Sequence, residues 1–129
     1  RMLREESLDF PLHFYINFPI HDYARLISNA ACFIGNSSSA LREGAFLGIP
    51  AVNIGSRQDC RERGINIFDV DYDNNQIFNS IKKQIEHGRY ESDHRFGSGN
   101  AGKMIAAKLS SIDLEIKKKF NDLDFKLDD

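Results

Sequence analysis

The stretch Ala30-Ala31-Cys32-Phe33-Ile34-Gly35-Asn36-Ser37-Ser38-Ser39 passes from an apolar run to a run of small polar residues. A continuous apolar run is typical of a strand that is buried on both faces of a parallel sheet. The small residues predict a turn, and the residues after them predict a helix from Ser38 to Leu47. That helix should end at Gly48, with Pro50 just beyond it. A second apolar run, Ala51–Ile54, predicts the next strand.

Strands alternate with helices along the rest of the chain, which indicates an α/β domain with a Rossmann-like parallel sheet. Only about four strands are expected, whereas a complete doubly wound domain has six. We therefore expect that the first strands are missing, that residues 1–129 form a single partial domain, and that residues 111–129 form a C-terminal tail. The remaining predicted strands are residues 12–17 and 66–70. Three further helices are predicted. Two of them are residues 20–29 and 100–110, and the third is capped by Asp73 and has an apolar stripe of Ile77, Ile81 and Ile85.

Composition excludes several classes of function. The chain has 129 residues, 41% of them hydrophobic, and a net charge of −2, so it lacks the basic character of a nucleic-acid-binding protein. It has no apolar run long enough to span a membrane and no signal peptide at its start. Cys32 and Cys60 are expected to be reduced thiols, which favours a cytoplasmic location. The four histidines have no ligand spacing, so neither a metal nor a cofactor is expected.

The serine turn, Gly35–Ser39, has two interpretations. One serine would suffice to cap the helix that follows it. Three serines at the carboxyl end of a buried strand instead favour a bound anion such as a diphosphate, because free N–H groups and hydroxyls meet there. Glu43 lies four residues after Ser39 on the same helix face and could accept hydrogen bonds from two ribose hydroxyls. A solvated surface carboxylate is the alternative for Glu43.

Two other segments are candidates for binding phosphate. The loop Gly55–Gly64, called here the arginine loop, contains three arginines and follows a strand at the same sheet edge as the serine turn, so phosphate contacts are plausible beside the alternative of a surface loop. The segment Gly97–Met104 fits glycine-rich phosphate-binding patterns. Those patterns need a buried strand immediately upstream, and residues 90–95 do not form one. A turn and a helix cap are predicted there instead.

The amino-acid sequences of these segments closely resemble those of one enzyme family. GNSSS at 35–39, Arg42-Glu43, Gly48-Ile49-Pro50, NIGSRQ at 53–58 and Arg61 are similar to the C-terminal domain of UDP-N-acetylglucosamine 2-epimerases. The resemblance extends from about residue 12 to 120. The GNSSS and NIGxRQ motifs are similar to those of the hydrolysing branch, which supplies N-acetylmannosamine for sialic-acid-type sugars.

The resemblance implies a GT-B-like enzyme of two Rossmann-like domains with the UDP-sugar between them. This chain would be part of the C-terminal one. Ser37, Ser38 and Ser39 would bind the diphosphate, Glu43 the ribose, Arg57 and Arg61 the phosphates, and Phe18 and Tyr23 would lie near the uracil. The partners implied are UDP or a UDP-sugar, the missing N-terminal domain, and further copies in a homo-oligomer. Such enzymes eliminate UDP to give a 2-acetamidoglucal and then add water.

The resemblance also implies that no catalytic residue lies in this chain, because the acids and bases of the family lie elsewhere. Alone, the chain should be inactive. Two alternatives stay open. The first is the nucleotide-sugar domain of an inverting GT-B glycosyltransferase. Retaining members fit less well, because they commonly carry two glutamates eight positions apart, and no glutamate lies eight positions from Glu43. The second is a non-catalytic nucleotide-binding module. The identity of the sugar, plain or 2,4-diacetamido, is left open.

Overall fold

The computed structural model describes residues 11–113. They fall into two compact units that divide between Phe96 and Gly97. The first unit is an α/β unit with a parallel sheet, so the predicted Rossmann-like fold class is confirmed. Its elements are α1 (Ile20–Ser28), β1 (Phe33–Gly35), α2 (Ser38–Leu41), α3 (Glu43–Phe46), β2 (Ala51–Ile54), a 3-10 turn (Ser56–Gln58), β3 (Ile67–Val70) and α4 (Asn74–His87); the second unit contains α5 (Ala101–Ser111).

The described sheet has three parallel strands in the order β1-β2-β3. Phe33 pairs with Ala51, and Ala51 pairs with Ile67, so these three side chains lie in one row across the sheet. Ala51 packs in a buried cluster with Ala40 and Leu41 of α2, and Phe33 and Ile67 pack against it. Because all three strands run in one direction, their carboxyl ends lie at one sheet edge. The serine turn and the arginine loop both begin there.

The predicted strand over residues 12–17 is wrong. These residues form no strand, and their side chains are exposed, Ile16 completely so. Aromatic and apolar residues favour a strand only where a neighbouring strand receives them. Here the ring of Tyr15 lies 4.6 Å from that of Phe18 instead of packing in a sheet. The sheet of the described residues therefore has one strand fewer than predicted.

The first two strands, β1 and β2, differ in burial. Ala51, Val52 and Asn53 of β2 are buried, as the apolar run predicted for a strand covered on both faces. In β1, however, Ile34 is 48% exposed, so the prediction of burial on both faces is wrong for this strand. Since successive side chains in a strand point to opposite faces, the face of β1 that carries Ile34 is uncovered among residues 11–113.

The single helix predicted from Ser38 to Leu47 is wrong. α2 and α3 are separate four-residue helices joined at Arg42, although the second ends before Gly48 as expected. At the junction the buried Asn66 side chain donates a 3.3 Å hydrogen bond from Nδ2 to the Ala40 carbonyl. A continuous helix would offer that carbonyl to the N–H of Gly44. A residue distant in sequence thus occupies the acceptor at the junction.

Both ends predicted for α4, the helix after β3, are confirmed. The Asp73 side chain accepts a 2.8 Å hydrogen bond from the Gln76 N–H, and Gly88 follows the last residue with φ +73°. The side chains of its predicted apolar stripe are only partly buried. Ile85 is 51% exposed, whereas the neighbouring Gln84 is completely buried.

The second unit confirms part of its prediction. Gly97 and Gly99 have positive φ before α5, and no strand lies between α4 and this turn, so the glycine-rich phosphate motifs lack their structural context. Asn100 precedes the helix without a side-chain cap. Most of the predicted tail lies outside the described residues, and the predicted single domain with missing first strands stays a prediction. Within residues 11–113 no helix is long and apolar enough to cross a membrane.

Candidate functional site

The serine turn connects β1 to α2 at the carboxyl edge of the sheet. Ser37 caps α2, because its Oγ accepts a hydrogen bond of 3.3 Å from the Ser39 N–H. The capping interpretation is therefore correct for Ser37. The other two serines are half-buried, and their side chains line different cavities on the two sides of the turn. Because α2 has only four residues, the helix dipole expected at this end is smaller than a longer helix would supply.

One cavity, called here the Ser39–Glu43 cavity, has a volume of about 500 Å³. Ser39 and Glu43 line it together, as their spacing predicted, even though the helix is interrupted between them. Phe18 and Tyr23 line the same cavity from the chain before and within α1, and both are half-buried. The cavity thus combines two aromatic rings with one hydroxyl and one carboxylate. Its other walls are Tyr15, Ile16, Asn17, Ile20, Ala24, Ile27 and Leu47.

The arginine loop is attached directly to the serine turn. Arg57 donates from Nη1 to the carbonyl and to Oδ1 of Asn36, at 3.2 and 3.3 Å. Gln58, which is 2% exposed, donates from Nε2 to the same carbonyl at 2.6 Å. Its Oε1 is buried without a hydrogen-bond partner in the described residues. The predicted proximity of the loop to the turn is therefore confirmed, and Arg57 retains further N–H donors.

A second set of contacts fixes the far half of the arginine loop to β3. Arg63 donates from Nε to Asp69 Oδ2 at 2.6 Å and from Nη1 to the Arg61 carbonyl at 2.6 Å. Asp69 also accepts a 2.7 Å hydrogen bond from Asn53 Nδ2 on β2. Because the Arg63 side chain is only 25% exposed, this charge-assisted contact is partly shielded from water. The backbone of Arg61 is therefore held at the sheet edge.

The other cavity beside the turn, called here the Ser38–Arg42 cavity, has a volume of about 350 Å³. Arg61 of the arginine loop lines it together with Ser38 and Arg42. The remaining walls are Leu41, Glu62 and Phe96. Two guanidinium groups against one carboxylate leave this cavity with a net positive lining. The eight residues predicted for the site therefore lie in or beside the serine turn: Ser37 caps α2, Arg57 contacts Asn36, and the other six line the two cavities.

The titratable groups near the site do not suggest a nucleophile. Burial raises the pKa of the Cys32 thiol. A hydrogen bond with the Val52 backbone lowers this pKa, but it offsets only part of the rise. A raised pKa keeps this thiol protonated and unreactive. Among residues 11–113 no group of three or more His, Cys, Asp or Glu side chains is arranged to hold a metal ion. The chemistry available here is hydrogen bonding, aromatic contact and positive charge.

Three residues of the site were not predicted to act there. Arg42 lies four positions after Ser38, the same spacing that drew attention to Ser39 and Glu43, so its place could have been found from the sequence. Tyr15 could not, because the segment that contains it was interpreted as a strand. Gln58 is buried through a contact with Asn36 that no local pattern indicates.

The parallel sheet, with polar loops gathered at its carboxyl edge, defines a Rossmann-like α/β unit, a class in which ligands bind at that edge. Comparison with known families is more specific. The family model of UDP-N-acetylglucosamine 2-epimerase matches residues 2–110, and the chain belongs to that family.

Individual relatives agree with this assignment. The chain is 31% identical over 99 residues to UDP-N-acetylglucosamine 2-epimerase of Neisseria meningitidis, covering 74% of this chain and 26% of that protein. It is 29% identical to UDP-N,N'-diacetylbacillosamine 2-epimerase (hydrolyzing) of Legionella pneumophila, over 72% and 25% of the two chains. It is 33% identical to GDP/UDP-N,N'-diacetylbacillosamine 2-epimerase (hydrolyzing) of Campylobacter jejuni, over 83% and 29%. The match thus spans about a quarter of each relative's length.

Proposed function

We propose that the complete protein carrying this chain is a hydrolysing UDP-N-acetylglucosamine 2-epimerase, and that this chain binds the UDP moiety of the substrate. It would convert UDP-N-acetylglucosamine and water into N-acetylmannosamine and UDP. Membership of the family and the names of two hydrolysing relatives support this activity.

The observation that carries the proposal is the composition of the Ser39–Glu43 cavity. Phe18 and Tyr23 offer an apolar, aromatic wall for a uracil ring, and Glu43 offers a carboxylate that can accept from two ribose hydroxyls. About 500 Å³ lies within the range of small-molecule pockets and is ample for a nucleoside. The residues come from the segment before α1 and from α1, α2 and α3, so they meet only in the folded chain.

The diphosphate would lie over the serine turn. Ser38 and Ser39 have hydroxyls that can donate to phosphate oxygens, and Ser37 can donate while it caps α2. Arg57 lies at the start of the turn through its contact with Asn36, and Arg61 lines a cavity together with Ser38 of the turn. Both would neutralise negative charge on the phosphates as UDP departs.

In the proposed reaction a base removes the proton from C2 of the sugar, and the C1–O bond breaks to release UDP. Water then supplies a hydroxyl to C1 and a proton to the opposite face of C2. This chain would stabilise the leaving group, while the acids and bases would come from the N-terminal domain and the start of the C-terminal domain, outside this chain. Expressed without them, the chain should be inactive. A cytoplasmic location, a homo-oligomeric assembly and a role in sialic-acid biosynthesis remain predictions.

The test is to incubate the complete protein with UDP-N-acetylglucosamine, and separately with a UDP-2,4-diacetamido sugar, and to follow UDP and free sugar together. Equal release of UDP and the 2-epimeric free sugar supports the proposal. Absence of both products from both substrates contradicts it. Formation of UDP-N-acetylmannosamine without UDP release would indicate the non-hydrolysing reaction, and UDP release that requires an acceptor would indicate a glycosyltransferase.

A further inference from the structure

The junction between α2 and α3 separates Ser39 from Glu43, although both residues line one cavity. At this junction Arg42 has φ −96° and ψ −72°, each about 30° from the α-helical value. The Arg42 carbonyl then accepts from the Phe46 N–H at 3.2 Å, which is a hydrogen bond of α3. The direction of Glu43 relative to Ser39 is therefore not fixed by one continuous helix.

Asn66 holds this junction from outside both helices. Its side chain is buried, with the residue 1% exposed, and Nδ2 donates to the carbonyls of Ala40 and Ile49, at 3.3 and 2.9 Å. Ala40 belongs to α2 and Ile49 follows α3, so one amide joins the two ends of this segment. Because both neighbours are acceptors, the nitrogen of the amide has to face them.

The position of Asn66 is itself fixed by the sheet and by α4. Its carbonyl accepts from the Ala51 N–H at 2.9 Å and from Gln84 Nε2 at 2.9 Å. Gly64 leaves room for the amide, since a Cβ there would lie 2.5 Å from Asn66 Oδ1. That oxygen is buried without a hydrogen-bond partner among the described residues, which costs free energy. Packing alone therefore does not account for a polar side chain at this position.

We propose that Asn66 is a positioning residue for ribose recognition, because its bond to the Ala40 carbonyl keeps the junction interrupted and so directs Glu43 into the cavity. Without Asn66, the donor available to that carbonyl is the Gly44 N–H, as in a continuous helix. Joining α2 to α3 in this way would turn Glu43 relative to Ser39. The inference rests on the proposed function, since Asn66 acts through Glu43 on the ribose hydroxyls.

The experiment is calorimetric titration of the complete protein with UDP and with 2′,3′-dideoxy-UDP, and the quantity compared is the ratio of the two affinities. Partial unfolding lowers both affinities by the same factor, so it leaves this ratio unchanged. Asn66→Ala removes the amide and should lower the ratio about tenfold, because Glu43 is then displaced from the two hydroxyls. A role of Asn66 in stability alone would not change the ratio.

Two further variants make the test specific. Asn53→Ala is the matched control, because Asn53 is also 1% exposed but its amide donates to Asp69 instead of the α2–α3 segment. This variant should leave the ratio unchanged. Asn66→Asp keeps the shape of the side chain, and a carboxyl group buried here stays protonated and donates to only one carbonyl. Its ratio should lie between those of the unmodified protein and Asn66→Ala, and it decides the question if Asn66→Ala does not fold.

The remaining outcomes separate this inference from the proposed function. An unchanged ratio in the Asn66 variants, while Glu43→Gln lowers the ratio, overturns the inference and leaves the proposed function standing. An equal fall in Asn53→Ala also overturns it, because loss of any buried amide would then have the same effect. Equal affinity of the unmodified protein for both ligands overturns the inference together with the assignment of Glu43 to the ribose. Failure of the unmodified protein to bind UDP overturns the proposed function itself.

Discussion

Gln84 is the residue whose replacement should most clearly test how the sheet and α4 are held together. It is completely buried, and its amide makes three hydrogen bonds. Nε2 donates to the carbonyls of Ala51 and Asn66, at 2.7 and 2.9 Å, so it joins α4 to β2 and to the residue before β3. Oε1 accepts from the Tyr90 hydroxyl at 2.7 Å.

Replacement of Gln84 by leucine keeps a similar volume and removes all three hydrogen bonds. Each contributes about 0.5–1.5 kcal/mol net, and the buried partners left without Gln84 add to the loss, so the free energy of unfolding should fall by about 2–4 kcal/mol. Tyr90→Phe removes one of the three and should cost about 1 kcal/mol. Lys83→Leu, on the exposed face of the same helix, should change stability by less than about 0.5 kcal/mol.

The assay is urea unfolding followed by circular dichroism, with the three variants and the unmodified protein compared under one condition. A loss of less than about 1 kcal/mol in Gln84→Leu would refute the reasoning, because the buried amide would then contribute less than a single ordinary hydrogen bond. A loss in Lys83→Leu as large as that in Gln84→Leu would also refute it, since leucine on the helix rather than loss of the amide would be the cause.

Two further predictions concern the backbone and the thiols. Gly55 has φ +74° and ψ −172°, a region essentially limited to glycine, so Gly55→Ala should lower the free energy of unfolding by about 1–3 kcal/mol. The new methyl group would meet the Tyr72 ring, but that ring is exposed and can move aside. The double variant with Tyr72→Ala should therefore regain little of the lost free energy of unfolding. Full recovery of stability in the double variant would contradict this account. Iodoacetamide at pH near 8 should label the exposed Cys60 before Cys32, because burial raises the Cys32 pKa and removes thiolate; peptide mass mapping of the native protein would show equal labelling if this is wrong.

The parts of the fold that the sequence predicted correctly are those set by local chemistry. The apolar run of β2, the Asp73 cap and the glycine after α4 all act within a few residues of the element that they define. Ser39 and Glu43 were expected on one side of their helix because of their spacing, and they do line one cavity. Their roles toward UDP stay predictions.

The parts that were predicted wrongly depend on distant residues. The aromatic residues before α1 have strand character, but no described strand pairs with them, and β-propensity depends on packing against such a neighbour. The interruption of the helix at Arg42 coincides with a hydrogen bond from Asn66, which follows β2 in the chain. The burial of Gln84 likewise depends on carbonyls of two other segments. None of these partners is visible within a local window of sequence.

The central claim is that the Ser39–Glu43 cavity holds the nucleoside of UDP through the Glu43 carboxylate. The most direct measurement is calorimetric titration of the complete protein and of Glu43→Gln with UDP and with 2′,3′-dideoxy-UDP. Hydrogen bonds to a charged group contribute about 1.5–3 kcal/mol, so Glu43→Gln should weaken UDP about 10- to 100-fold and should leave the dideoxy analogue unchanged. Equal affinities of the two proteins for UDP, or an equal loss with both ligands, would contradict the assignment of Glu43 to the ribose.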